Sequence, residues 1–262
     1  MTTTALQPAA CTIRFMPMPQ DDAGPVPAPL KTACSSCHLR DLCLPHGMGD
    51  GDVQRLDGLT LSRRKIVAGQ TLYRQGEPFH YFYAVRSGTL KSSLMVADGR
   101  EQVSGFHMAG EQMGLDGVAD GKHASTAVAL EDTEVCAIPY ARLTELAAGS
   151  AGMQHLVSRL MSREIVRENG LMMLLGSMNA EERLATFLLN LSQRHKARGY
   201  SAHEFHLRMT RAEIGSYLGL KLETVSRTLS AFQRQRLLAV DKRHIRIHDM
   251  PGLACAFAAR MH

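Results

Sequence analysis

The sequence predicts an α+β chain: a many-stranded sandwich or small barrel first, one long helix next, and a two-helix unit with trailing strands at the end. Three observations predict it. Short β-prone runs separated by glycine turns fill the stretch from residue 56 to 146. Apolar residues then recur every three or four positions over 151–176, and two short helical segments meet at Gly219-Leu220-Lys221. At 262 residues the chain is long enough for two domains, each with its own core.

Residues 1–33 are rich in Pro, Ala and Thr without a period and read as a disordered arm. Pro17, Pro19, Pro25, Pro27 and Pro29, with Asp21 and Asp22 among them, leave no apolar run of the kind a signal peptide needs. No stretch reaches the roughly 18 uninterrupted apolar residues of a membrane span, so a cytoplasmic protein with no membrane partner is expected. Cys34, Cys37 and Cys43 follow as C-x2-C-x5-C. Six cysteines, counting Cys11, Cys136 and Cys255, are too sparse for the disulfide framework of a short secreted chain. Three thiolates on one loop can face a single metal centre, with a fourth ligand from elsewhere. A four-thiolate shell suits tetrahedral zinc or an iron–sulfur cluster alike.

The β-prone runs are Gln70–Arg74, Tyr81–Val85, Gly88–Val96, Glu101–Phe106 and Ser125–Leu130, with Asp98-Gly99 as a hairpin turn. Over 151–176, Val157, Met161, Ile165, Met172 and Leu175 form one apolar stripe, flanked by Met153, Leu156 and Leu160. A self-paired coiled coil is the expected use of that stripe. Glu168 lies on it between Ile165 and Met172, where it approaches its own copy in a parallel pair and weakens association. A second helix is expected over Ala180–Arg198, with Asn179 as N-cap, Glu182 at the third helical position and Gly199 closing it.

Thr210 caps a short helix over Arg211–Leu218, Gly219-Leu220-Lys221 turns the chain, and a second helix runs from Leu222 to Arg234. This is helix–turn–helix punctuation, with Ile214, Leu218 and Val225 placed to pack between the helices. Glu223, Ser226 and Arg227 at i, i+3 and i+4 share one face of the second helix. Arg can grip guanine bidentately, Glu can accept from cytosine, and Ser adapts to either. Leu237–Val240 and His244–His248 then alternate as two strands of a wing with a basic tip at Lys242 and Arg243. From Arg208 to His248 there are nine Lys and Arg against three acids, a segment of +6 in a chain of +5. A basic C-terminal block on a near-neutral body is the footprint of a nucleic-acid binder. Neither a nucleophile–base constellation, a Walker loop nor a G-x-G-x-x-G occurs, so an enzyme is not expected.

Several stretches together resemble the CRP/FNR family of bacterial transcription regulators: Arg86–Lys91, Gly105–Glu111, Asn179–Ala185 and Glu223–Arg227. Cys34, Cys37 and Cys43, with Cys136 further along in a β-domain strand, resemble the four ligands of the oxygen-sensing FNR branch. The resemblance implies a cyclic-nucleotide-binding-like β-roll, a long dimerisation helix and a C-terminal winged helix–turn–helix. It also implies a [4Fe–4S] cluster on those four thiolates, destroyed by oxygen. The loaded homodimer would bind double-stranded DNA at a TTGAT-N4-ATCAA-like site and recruit or block RNA polymerase. Glu223, Ser226 and Arg227 would read each half-site, with Thr210, Arg211 and Lys221 beside them. A zinc-stapled or otherwise effector-controlled CRP-type regulator is the alternative. In the family's cyclic-nucleotide binders a Gly-Glu pair holds the ribose and an Arg-Ser pair the phosphate. Gly110-Glu111 is present here, but His123-Ala124 stands where Arg-Ser is expected, which speaks against cyclic AMP. The expected layout is therefore a cysteine-rich segment at 34–55, a β-roll at 56–150, the dimerisation helix at 151–178, the DNA-binding domain at 179–249 and a tail at 250–262.

Overall fold

A computed structural model describes residues 33–44, 48–59, 62–95 and 99–255. The expected arm up to residue 32, Cys11, Asp98 of the hairpin turn and residues 256–262 of the tail lie outside these residues. The fold is the α+β arrangement expected: a β-rich first domain, long helices and a C-terminal helix–turn–helix.

The first domain packs two four-stranded antiparallel sheets face to face. One holds β1 (Ser62–Ile66), β8 (Thr133–Pro139), β3 (Tyr81–Ser87) and β6 (Gln112–Met113) in that order. The other holds β2 (Thr71–Tyr73), β7 (Thr126–Ala129), β4 (Thr89–Met95) and β5 (Glu101–Met108). Tyr73, Tyr83, Val85, Leu90, Met113, Ala127, Ala129, Val135 and Ala137 fill the space between them. Because strand side chains alternate, Val135 and Ala137 point into this core and Cys136 points out the other way. Phe82 and Ala84 share that outer face, and Ala84 pairs with Cys136 in the ladder. The outer face is covered by α2 (Asp50–Asp57), α3 (Tyr140–Ala148) and the first turns of α4 (Ala151–Ser177). α1 (Arg40–Cys43) is a single turn closing the cysteine loop.

Two of these helices were not expected. α2 lies in the cysteine-rich segment, and α3 ends the stretch read as β-rich, separated from α4 by Gly149-Ser150. α3 buries only Leu143 and Ala147, too few positions to give a period in the sequence.

α4 divides its surface. Met153, Leu156 and Leu160 are buried against Leu56, Leu59, Phe82 and Leu143 of the first domain. Of the expected stripe, Val157 leans towards that same core and Leu175 packs at the DNA-binding domain, while Ile165 and Met172 stay 60% and 63% exposed. Val166 and Met173 beside them are as open. Leu174 reaches the second core.

α5 (Ala180–Ala197) starts at a capping box, Asn179 accepting from the amides of Glu181 and Glu182 while Glu182 reaches back to the Asn179 amide. It buries Leu184, Phe187, Leu188 and Leu191 against α6 (Arg211–Leu218), α7 (Leu222–Arg234) and α8 (Met250–Cys255). The wing has three strands instead of the two expected: β10 (Leu238–Asp241), β11 (His244–Ile247) and β9 (Glu204–His206). β9 is only three residues long, below what an alternation pattern can announce.

His107 in β5 is fully enclosed, its Nε2 3.0 Å from Ser92 Oγ. Burial, reinforced by the nearby Arg167 guanidinium, pushes its pKa down to about 3. An unfolded histidine takes up a proton near pH ~6.5. Between those values the unfolded chain binds the extra proton, so stability falls as pH drops from about 6.5 towards 3. Thermal melts of His107→Gln from about pH 7 down to pH 5 should therefore show a flatter decline than the parent chain, whatever the absolute loss at neutral pH.

Candidate metal centre and DNA-reading helix

The four thiols Cys34, Cys37, Cys43 and Cys136 line one cavity between the cysteine loop, the outer face of the first sheet and α4. Its other walls are mostly apolar: Leu44, Leu56, Phe82, Ala84, Ile138, Leu143, Leu156 and Leu160, with Gln112 and Arg40 at the rim. Local geometry holds the loop in place. Asp57 at the end of α2 accepts from the amides of Cys34 and Ser35. The Cys37 amide donates to the Cys34 carbonyl at 3.2 Å, and the Cys43 amide to the Leu39 carbonyl at 2.8 Å. Two side chains donate toward sulfur: Gln112 Nε2 to Cys43 Sγ at 3.4 Å and Arg86 Nη1 to Cys37 Sγ at 3.7 Å.

Burial raises the thiol of Cys34 to about 12, with Cys43, Asp57 and the other cysteines adding to it. Burial likewise takes Cys43 to about 11 and raises Cys136. Four thiolates here would repel one another in an apolar enclosure, and only a cationic centre among them would offset that cost. The donor set and its placement fit such a centre: all-sulfur ligands, an apolar wall, and N–H donors aimed at two sulfurs. Among the described residues no three His, Cys, Asp or Glu side chains are drawn together tightly enough to hold a single ion.

The helix–turn–helix follows the expected boundaries. Thr210 and Glu213 form a reciprocal capping box on α6, and Gly219 turns the chain at φ 64°, a left-handed conformation that favours glycine. Ile214, Leu218 and Val225 are buried between the helices. Glu223 and Arg227 lie exposed on α7, and Lys221, Thr210 and Arg211 are exposed around its start. Ser226 is half-buried, and its hydroxyl accepts from Arg211 Nη1 at 3.2 Å. Lys242 and Arg243 stand at the β10–β11 turn, with Lys242 at φ 53°.

Contacts between domains are both apolar and polar: Val103, Phe106 and Met108 of β5 share one core with α5, α6 and α7, and the Phe106 ring lies 6.0 Å from Phe187 and 5.3 Å from Tyr217. Lys91 Nζ lies 3.2 Å from both Glu101 and Glu213, tying β4 to the first turn of α6. Glu111 departs from the ribose-holding position suggested by Gly110-Glu111. Its carboxylate is taken by Arg194 of α5 and by Arg198 at that helix's C-cap, whose charges outweigh the cost of burial and hold its pKa below the usual range. At the place of the expected Arg-Ser pair, the buried His123 ring stacks on Tyr73 at 3.8 Å and lies 3.3 Å from Asp116. Glu168 is not a bare charge on the stripe, because Arg167 Nη2 lies 3.0 Å from it and also pairs with Glu164. These ion pairs join positions far apart in sequence or depend on side-chain placement, and no local pattern announces them.

An all-β sensor-like domain joined through long helices to a winged helix–turn–helix defines a two-domain DNA-binding regulator. The cyclic nucleotide-binding domain family matches residues 63–150, and the Crp-like helix-turn-helix domain family matches residues 182–256. The chain is 48% identical over 220 residues to the transcriptional regulatory protein btr of Bordetella pertussis, covering 84% of this chain and 91% of that one. It is 42% identical over 221 residues to the fumarate and nitrate reduction regulatory protein of Escherichia coli strain K12, covering 84% and 88%. The solved structure of FixK2 from Bradyrhizobium japonicum superposes with a TM-score of 0.71 at 32% identity, over 77% of this chain and 99% of that one. The chain belongs to the CRP/FNR family, as an FNR-like transcription regulator and not an enzyme. No described helix is long and apolar enough to cross a membrane.

In metal-free, reduced protein near pH ~8, Cys34 and Cys43 should alkylate at least about tenfold more slowly than exposed Cys255, because little of either is thiolate at that pH. Mass spectrometry of the labelled peptides measures it, and equal rates would contradict the burial described.

Proposed function

We propose that this chain is an oxygen-responsive cytoplasmic regulator that holds a [4Fe–4S] cluster on Cys34, Cys37, Cys43 and Cys136. In that state it binds a two-fold DNA site of the TTGAT-N4-ATCAA type as a homodimer, and RNA polymerase is its partner at promoters. One observation carries the reading: four thiols from two distant parts of the chain line a single apolar cavity beneath α4. The likeness to a fumarate and nitrate reduction regulatory protein supports it.

When bound, the cluster supplies an all-thiolate iron centre whose integrity depends on the absence of oxygen. The residues do the rest. Cys34, Cys37 and Cys43 anchor the loop to Cys136 on β8, and the loop in turn closes the wall that Leu156 and Leu160 of α4 pack against. That fixes the first turns of α4 and, through its length, the presentation of Ile165 and Met172 to a second copy. Burying such side chains contributes about 1.5–3 kcal/mol each, enough for a few lost contacts to shift a dimer equilibrium. Glu168 opposes pairing, with Arg167 tempering its charge. On DNA, Arg227 and Glu223 face base edges, Ser226 adapts between them, and Thr210, Arg211, Lys221 and the wing tip meet phosphate. A monomer offers one recognition helix and loses most of the affinity for a two-fold site.

Protein purified without oxygen should be brown, contain iron and inorganic sulfide in equal amounts, and pass from dimer to monomer as its visible absorbance bleaches in air. A colourless, zinc-containing protein indifferent to air would overturn the sensing reading and leave the DNA-binding one. Glu168→Ala should self-associate in air about two- to fivefold more tightly by sedimentation, the scale of one partly screened charge. Arg227→Ala should cost about 1–3 kcal/mol of affinity and relax base preference at one position of each half-site. Arg243→Ala, by contrast, should weaken binding evenly across sequences and lower the salt slope by about one. Anisotropy titrations over a range of salt separate the two.

A further inference from the structure

The turn between β5 and β6 has one face on the cysteine loop and the other on the DNA-binding domain. Gln112 donates its side-chain amide to the Cys43 carbonyl and, at 3.4 Å, to Cys43 Sγ. Leu42 sits on Gly110 so closely that a Cβ there would lie 2.7 Å from Leu42 Cβ, and φ at Gly110 is +86°. One residue on, Glu111 points the other way. Its carboxylate accepts from Arg194 Nε at 2.9 Å, Arg194 Nη2 at 2.6 Å and Arg198 Nη2 at 2.5 Å. The same two arginines cap the backbone around it, Arg194 donating to the Phe106 carbonyl and Arg198 to the Ala109 carbonyl, both at 2.7 Å. Arg198 is almost enclosed, its side chain 6% exposed. The turn itself is stitched to β3, with Gly110 donating to the Val85 carbonyl at 2.8 Å and Val85 to the Glu111 carbonyl at 2.9 Å.

We propose that the turn Met108–Gln112 is a link within one protomer that carries the state of Cys43 to α5, and so to the orientation of the DNA-binding domain. The inference rests on the cluster reading above and adds a route that bypasses the dimer seam. Charge-assisted, largely buried bonds are the strong ones; four of them tie the C-terminal end of α5 and its cap residue Arg198 to this turn, and a fifth reaches Phe106 just before it. On the other face, Gln112 and the Leu42–Gly110 contact hold only while the loop stays docked. When the loop lifts, the turn keeps its two bonds to β3 but loses these two supports, and its hold on the aim of Glu111 loosens. Gln112 and Glu111 are positioning residues in this scheme: neither ligates metal nor touches DNA.

Backbone hydrogen exchange on the full chain tests the link through two segments, residues 37–44 and 191–199. In anaerobic, iron-loaded protein, exposure to air should speed exchange in both together. Glu111→Gln should exchange about tenfold faster at 191–199 before any air, and no further after it. Its iron content, dimer mass and air response at 37–44 should match the parent chain. Gln112→Leu, which keeps the Glu111 pairs, should uncouple the two segments. If 191–199 ignores air in the parent chain, or still follows 37–44 in Glu111→Gln, the link is overturned. Iron content reports separately on the cluster reading. Should the chain hold no iron, Leu42→Ala in the metal-free protein carries the test: faster exchange at 191–199 supports the link, and an unchanged rate overturns it.

Discussion

One helix has to satisfy three surfaces, and the molecule is organised by how α4 does so. Its first turns bury Met153, Leu156 and Leu160 in the first domain, and Leu174 near its end enters the core of the second. The middle leaves Ile165 and Met172 open. An ideal helix drifts about 20° per heptad against a 3.5-residue seam. A single stripe therefore cannot stay on one partner for 27 residues, and it passes from the first core to an uncovered face to the second core. The cysteine cavity lies under the first of these contacts, so an event at the thiols acts on the helix where it is anchored.

Electrostatics sets that cavity apart from ordinary core. Burial raises three of its thiols, and each ionised sulfur would raise its neighbours further. An apolar wall with four sulfurs is stable either as neutral thiols or as thiolates around a cation, and under the proposed function these two states would hold the loop differently. Around it the domains meet through the apolar contact of β5 with α5 and α6 and through ion pairs: Lys91 with Glu213, and Glu111 with Arg194 and Arg198. The ion pairs fix orientation with directional bonds, while the apolar contact holds the two domains together.

What was legible in the sequence was local. Asn179 with Glu182, Thr210, and Gly219 are short-range signals, and each lies where it was read; Glu213 completes the Thr210 cap, a pairing the sequence reading did not draw. The strands β2 to β5 and β7 announced themselves through glycine turns and alternation. The cysteine triplet pointed to a metal on spacing alone, whereas Cys136 joined the set only through family resemblance. Its place on β8 gives the physical reason it can: it is on the outward-facing register between Val135 and Ala137. The helices α2 and α3 and the strand β9 were too short or too sparsely buried to leave a pattern. The partners of Glu111 and the Arg167 beside Glu168 could not be read at all. Glu111 meets arginines more than 80 residues away, and the stripe around Glu168 showed apolar spacing without saying which polar neighbour would fold over it.

At the centre of the proposed function are four thiols sharing one metal centre whose presence would set DNA affinity. The most direct measurement is an anaerobic titration of metal-free protein with ferrous iron and sulfide, following iron uptake and binding to a two-fold site in the same samples. Affinity rising in one step, complete when each chain has taken up the iron of a single cluster, is the predicted result. Full affinity before any iron is added, or iron uptake that leaves affinity unchanged, would contradict it.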